Sequence, residues 1–259
     1  EDGIRDRDVT GVQTCALPIL GLSIAQWFAR EGCILHLVAR SNDLLLRLAQ
    51  QLRDANGVTV HTYAADLSSD AGRTALMRAC PEVDILINNV GGSAAGGPVE
   101  MSEEVWDTQI NVNLKSVFLT CKHVLPAMVA QRRGAIVNVA SASGMRWTGS
   151  AQVAYAASKA GVIQLSKVVA VQHAKDGVRV NTVVPGQLHT PMVEARLAKQ
   201  RTGGDIEALL ASRVKRIPLG FMGDGRDTAH AALFLASEEA RFVTGTEIVV
   251  DGGMTARCD

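Results

Sequence analysis

The sequence predicts an α/β fold, a Rossmann-like doubly wound parallel sheet with helices on both faces in a single domain. Three observations predict it. Short apolar runs alternate with amphipathic stretches from Gly21 to the C-terminus. Runs such as VDILIN at Val83–Asn88 are apolar nearly throughout, as strands covered on both faces are. Polar or glycine clusters follow one strand after another, at the edge where open α/β sheets bind ligands.

The elements follow in order. Leu22–Arg30 reads as a helix, with Gly32 just beyond it as a stop. Ile34–Ala39 is a strand. Leu44–Ala55 is a helix with leucines on one face, started by Ser41 or Asn42 and closed near Gly57. Strand Val58–Ala64, helix Asp70–Cys80 and strand Val83–Asn88 come next. A long helix runs from about Glu103 to Met128, then strand Ala135–Ala140, helix Ala154–Lys175 and strand Val178–Val184. The polar stretch Thr190–Arg216, interrupted by Gly203-Gly204, reads as helical and as a mobile lid at about 188–216. Helix Thr228–Ser237 and strand Glu247–Val250 close the chain, with no internal repeat or linker in residues 20–259.

The first nineteen residues do not fit this plan. A doubly wound domain opens with a strand and a glycine-rich turn, and residues 1–19 promise neither. Ile4–Val9 alternates badly and is crowded with charge, Pro18 stands where a helix should begin, and no glycine lies between Gly11 and Gly21. The segment resembles translated sequencing adapter and reads as foreign to the domain, so the first strand and glycine turn are expected to be missing or replaced, with poor folding and cofactor binding as the consequence.

Bulk properties exclude several function classes. Lys plus Arg equals Asp plus Glu, 26 against 26, so no global positive field gathers nucleic acid or an anionic membrane. Arg132-Arg133 reads as solvated loop charge. The five cysteines are scattered without a C-x-x-C pair, which argues against a disulfide framework or a metal site and for a reducing, cytoplasmic setting. No apolar run reaches the roughly 20 residues that span a bilayer. The acidic residues around Arg5 and Arg7 argue against a signal peptide.

Chemistry concentrates in Tyr155-Ala156-Ala157-Ser158-Lys159. Residues four apart share a helix face, so the phenol and the ammonium project together. A nearby positive charge favours phenolate and is expected to bring the phenol into a range useful for proton transfer. Taken alone the spacing is weak evidence. Other groups fall at the same sheet edge: Ser141 closing AIVNVAS, Asn113 within the long helix, Asn88-Asn89-Val90-Gly91-Gly92 after VDILIN, and Pro185-Gly186 with Thr190 after VRVNTVV. Asn88 could simply cap its strand, and Ser143 could replace Ser141 as the working hydroxyl.

With Y-x-x-x-K, N-N-x-G, the helix asparagine, the serine loop, P-G-x-x-x-T and the closing TGTEIVVDGG, the chain from Gly21 to about Gly253 resembles the short-chain dehydrogenase/reductase family. It departs from the family in its glycine turn, of which only Gly21 remains. The resemblance implies hydride transfer between a nicotinamide cofactor and a ketone/secondary alcohol pair. Tyr155 would be the general acid/base, Lys159 would hold the nicotinamide ribose and depress the tyrosine, Ser141 would bind the substrate oxygen, and Asn113 would disturb its helix and hold a relay water. It further implies cofactor contacts at Gly21, Ser41, Asp66, Leu67, Asn89, Gly91, Pro185, Gly186, Leu188 and Thr190, and a homotetramer or homodimer built on the long helices. Where NAD readers carry an acidic residue the chain has Ala39 followed by Arg40, which favours NADP(H) over NAD(H). The substrate is a small molecule facing Gly92–Ala95, Met145–Trp147 and Leu188–Arg196. A 3-oxoacyl thioester is an alternative, as is a non-catalytic or incompetent dinucleotide-binding protein of the same fold.

Overall fold

The computed structural model describes residues 12–15, 20–79, 83–189 and 206–258, with the backbone alone at 12–15. Seven strands form one sheet in the order β3-β2-β1-β4-β5-β6-β7, every neighbouring pair parallel. They are β1 (Val12–Cys15), β2 (Leu35–Ala39), β3 (Val60–Ala64), β4 (Ile85–Asn88), β5 (Gly134–Val139), β6 (Val178–Pro185) and β7 (Glu247–Val250). The order reverses between β1 and β4, and such a switch point opens a crevice at the carboxyl ends of the strands.

The central strand corrects the sequence reading. Val12–Cys15 supplies β1, paired in register to Leu35–Val38 on one side and Ile85–Asn88 on the other. Four residues reading Val-Gln-Thr-Cys lack the apolar run expected of a central strand, and pairing on both edges overrides that weak local signal. The first strand is therefore present. Residues 1–11 and 16–19, and with them the expected glycine turn, lie outside the described residues.

Helices α1 (Leu20–Arg30), α2 (Asn42–Asn56) and α8 (Gly225–Ala236) cover one face. Ile24, Phe28, Leu45, Leu48 and Leu235 pack there on Leu35, Leu37, Ile87 and Val137. Helices α3 (Asp70–Ala79), α5 (Ser116–Gln131) and α6 (Val153–His173) cover the other, where Leu76, Val117, Val124, Met128 and Val162 meet Val38, Leu86, Ile136 and Val180. Alternate strand residues serve opposite cores, which is why the strands read as continuous apolar runs.

The long helix is not continuous. α4 (Glu103–Ile110) passes through a π turn at Asn111–Lys115 before α5 begins, and α5 runs three residues past the expected end to Gln131. Arg132 then takes a left-handed conformation with φ 51°, and the part-exposed Arg133 pairs with the buried Asp84 at 2.8 Å. Of the expected lid, α7 (Ile206–Val214) is helical and Leu188 bridges to Gly223, while 190–205 lie outside the described residues. Among the described residues no helix is long and apolar enough to cross a membrane, and no His/Cys/Asp/Glu group is arranged to hold a metal.

Candidate active site

Strand β5 delivers Ser141 and helix α6 delivers Tyr155 and Lys159 to one point at the carboxyl rim. Ser141 is extended, its Oγ accepts from Ser143 N at 3.2 Å, and its hydroxyl lies close enough to the Tyr155 phenol to favour the phenolate. The neighbouring Ser143 spends its hydroxyl on Thr148 at 2.9 Å, so of the two candidate serines only Ser141 engages the tyrosine. Lys159 is 3% exposed, donates from Nζ to the Val139 carbonyl at 2.8 Å, and lies 5.8 Å from the centre of the Tyr155 ring. The close approach of loop and helix depends on Gly144. A Cβ there would fall 2.7 Å from the Ala160 nitrogen and the Lys159 carbonyl carbon.

Electrostatics at this point depart from the sequence reading. The Tyr155 phenol is raised rather than depressed. Burial disfavours phenolate, and the Ser141 hydrogen bond offsets that only in part. Burial also pushes the Lys159 ammonium down to about 8. The expected pull of lysine on tyrosine is weak because Nζ faces the Val139 carbonyl and sits nearly 6 Å from the ring.

The π turn carries Asn113, fully buried, whose Oδ1 accepts from Gly92 N at 3.0 Å and whose Nδ2 donates to Gly92 O at 2.9 Å. The helix is thus disturbed where Asn113 was expected to disturb it. A Cβ on Gly91 would lie 2.9 Å from Asn113 Oδ1 and 3.3 Å from Lys159 Nζ, so that position tolerates little but glycine. Two residues were missed by sequence reasoning. Gln109 accepts from Ala94 N at 3.2 Å, and Asn111 donates to the Ser68 carbonyl at 2.8 Å. The next strand-end amide, Asn88, belongs to the core. It joins Thr120 and Asn138 at 2.8 and 2.9 Å, and Asn138 reaches Ser166, tying α5 and α6 to the sheet.

A family model described as enoyl-(acyl carrier protein) reductase matches residues 19–255. The chain belongs to the short-chain dehydrogenase/reductase family, and it is an oxidoreductase. It is 37% identical over 250 residues to oxidoreductase UcpA of Escherichia coli O157:H7, covering 95% of this chain and 94% of that one. A solved Burkholderia xenovorans protein described as a short-chain dehydrogenase/reductase superposes with TM-score 0.88 at 52% identity, covering 96% of this chain and 97% of that one. L-Sorbose reductase from Gluconobacter frateurii, solved with NADPH and L-sorbose, gives TM-score 0.88 at 29% identity, covering 95% and 97%.

In this short-chain dehydrogenase/reductase several of the residues expected at the cofactor lie at the ends of β2 and β3. Ala39 ends β2 and is buried, and Arg40 beside it is exposed. Ser41 is spent as the α2 cap, accepting from Leu44 N at 3.4 Å. Asp66 accepts from Ser68 N and Oγ at 2.9 and 2.7 Å. Those bonds, then the charges of Arg40 and Arg73, hold its carboxyl below the usual range. Leu67 is buried in the core and its carbonyl takes Arg73. Gly21 is buried in the first turn of α1, Asn89 is half-buried beyond β4, and Pro185 ends β6. A Cβ on Gly186 would strike Asp251 at 2.4 Å, so packing against the end of β7 already requires that glycine. Leu188 lies beside Gly223, and Thr190 and Met192 fall outside the described residues.

Proposed function

We propose that this protein transfers hydride between NADP(H) and a ketone or secondary alcohol. The observation that carries the reading is the convergence of Ser141, Tyr155 and Lys159 at the switch-point rim. The fit of a dinucleotide is supported by the glycine cradle at Gly91-Gly92 and by Arg40, exposed next to the small Ala39. A guanidinium there suits a 2′-phosphate better than a ribose hydroxyl. When bound, the nicotinamide supplies or accepts the hydride. Tyr155, kept as a neutral phenol by burial, donates its proton to the carbonyl oxygen, which favours the reductive direction at neutral pH. Ser141 donates a hydrogen bond to the same oxygen as charge develops. Lys159 supplies positive charge below the tyrosine and a donor for a ribose, Asn113 holds the Gly91-Gly92 turn in place, and Asn89 and Leu188 would flank the cofactor.

The test is kcat/KM with NADPH and with NADH over a panel of keto-sugars, simple ketones and 3-oxoacyl thioesters. Reduction with an NADPH preference is expected, and a strong NADH preference overturns the cofactor assignment. The thioester alternative draws support from the family model's description and from relatives named 3-oxoacyl-[acyl-carrier-protein] reductase. A second reading, a weak or incompetent enzyme, rests on the β1–α1 connection. Its four residues, Ala16-Leu17-Pro18-Ile19, contain no glycine to let backbone amides approach a pyrophosphate. Replacing them with a glycine-rich turn then raises NADPH affinity and turnover together.

Assembly as a homodimer or homotetramer is part of the same proposal. α4 to α6 expose Trp106, Phe118, Val168 and Val171, and a second apolar group comprises Phe234, Phe242 and Val249. Light scattering on the purified protein reads the outcome.

A further inference from the structure

A cleft of about 280 Å³ lies on the loop that connects Ser141 to Tyr155. Four of its eight lining residues are cationic, Arg146, Lys215, Arg216 and Arg257, and none is acidic. In a chain whose charges balance, 26 against 26, this is a concentrated local positive field.

Backbone carbonyls orient the three arginines. Arg146 donates from Nη1 to the carbonyls of Thr255 and Arg257, Arg216 from Nη1 to the Thr148 carbonyl at 2.9 Å, and Arg257 from Nη1 to the Lys215 carbonyl at 3.1 Å. Carbonyls orient a guanidinium without cancelling its charge. Among the described residues Arg146, Lys215 and Arg216 form no ion pair. The loop is shaped around one of them: Gly149 has φ +81°, and a Cβ there would strike the Arg216 guanidinium. Mutually repelling cations such as Arg146, Lys215 and Arg216 gain most from a multivalent oxyanion, and arginine forks match phosphate in particular. The indole of Trp147 lies in the same cleft and is 72% exposed, a flat apolar surface for the carbon skeleton beside such a phosphate.

We propose that this cleft is a subsite for the phosphate end of a phosphorylated substrate whose carbonyl is presented to Tyr155. The binding half stands on the cleft alone, and the substrate half rests on the hydride-transfer reading.

Binding is tested on the full chain by titrating pyrophosphate and following tryptophan emission, with Trp147→Phe assigning the signal among the three tryptophans. Saturable binding that weakens with added salt is expected. Lys215→Gln, whose ammonium makes no hydrogen bond or ion pair among the described residues, leaves the fold intact and is expected to weaken binding at least threefold; Arg146→Gln with Arg216→Gln is expected to weaken it more than tenfold. No saturable response at millimolar pyrophosphate, or a response indifferent to Lys215→Gln, overturns the site. Catalysis is tested with fructose 6-phosphate and fructose. A KM at least tenfold lower for the phosphate ester, narrowed by Lys215→Gln, supports the substrate half, and equal KM values overturn it. If pyrophosphate binds as described while no carbonyl compound is reduced, the hydride-transfer reading fails and the anion site stands.

Discussion

Replacing Lys159 with methionine tests the electrostatics of the site without knowledge of the substrate. The lysine is buried and its ammonium is pushed down to about 8 by desolvation, against an unfolded value of about 10.4. Between those values the unfolded chain binds more protons at this group than the folded chain does, so stability rises with pH; below the lower value both states are protonated and the slope vanishes. From about pH 7 to about pH 9 the group alone contributes a gain of about 1.4 kcal/mol. In a chain of this size that is a rise in Tm of roughly 3–5 °C. Cys33 and Cys121, pushed up to about 12 by burial, act in the opposite sense. Their folded thiols keep protons that unfolded thiols release at high pH, but they are common to both proteins and cancel in the difference. At neutral pH the variant loses a charge whose burial costs on the order of 3 kcal/mol. It also loses the donor to the Val139 carbonyl, worth about 1.5–3 kcal/mol, so the two Tm values should lie close together. The decisive quantity is the difference in Tm between the two proteins as a function of pH, measured by calorimetry. Parallel curves for wild type and Lys159→Met would refute the burial argument.

Tyr155→Phe is expected to lower kcat by about 10²–10⁴-fold, the usual reach of general acid catalysis, while fluorescence titration shows NADPH still bound. Turnover near wild type removes the proton-donor role. Gly144→Ala places a methyl 2.7 Å from the α6 backbone. The loop must lift by several tenths of an ångström, parting Ser141 from Tyr155, with an expected loss of about 10²-fold or more in kcat; an unchanged kcat contradicts the role given to that contact. Asn111→Ala releases the Ser68 carbonyl. The expected result is a several-fold higher KM for cofactor with kcat preserved at saturation, and a fall in kcat alone contradicts it.

Periodicity and strand-end chemistry made most of this architecture legible, because alternate faces of one covered sheet leave continuous apolar runs. The first strand was hidden for a physical reason. Val12–Cys15 is four residues long, mixes polar with apolar residues, and is paired on both edges, with β2 and with β4. Tyr155, Lys159 and Ser141 could be named from spacing, but the direction of the tyrosine shift could not. It depends on burial and on where Nζ points, and spacing encodes neither. Asn111 and Gln109 stayed invisible for a similar reason. Their partners lie 43 and 15 residues away, and an amide inside a helical pattern carries no mark of a distant carbonyl or amide. Leu67 and Ser41, expected at the cofactor, have side chains already occupied by the core and by the helix cap, which spacing does not encode either.

The π turn gives these scattered facts a common cause. Gln109 and Asn113, four apart, face the loop after β4 and hold Ala94 and Gly92. Asn111, lying between them in the chain, reaches the opposite way to the loop after β3 at Ser68. One short segment therefore fixes both loops that border the proposed dinucleotide crevice, and a regular helix would not place these side chains in the same register. Among the described residues its Asn111 Oδ1 is buried with no hydrogen-bond partner, a cost of about 1–3 kcal/mol that a purely structural clamp has little reason to carry. An unmatched acceptor at the junction of the two loops that border the proposed crevice is what a site organised for binding, rather than for maximal stability, is expected to contain.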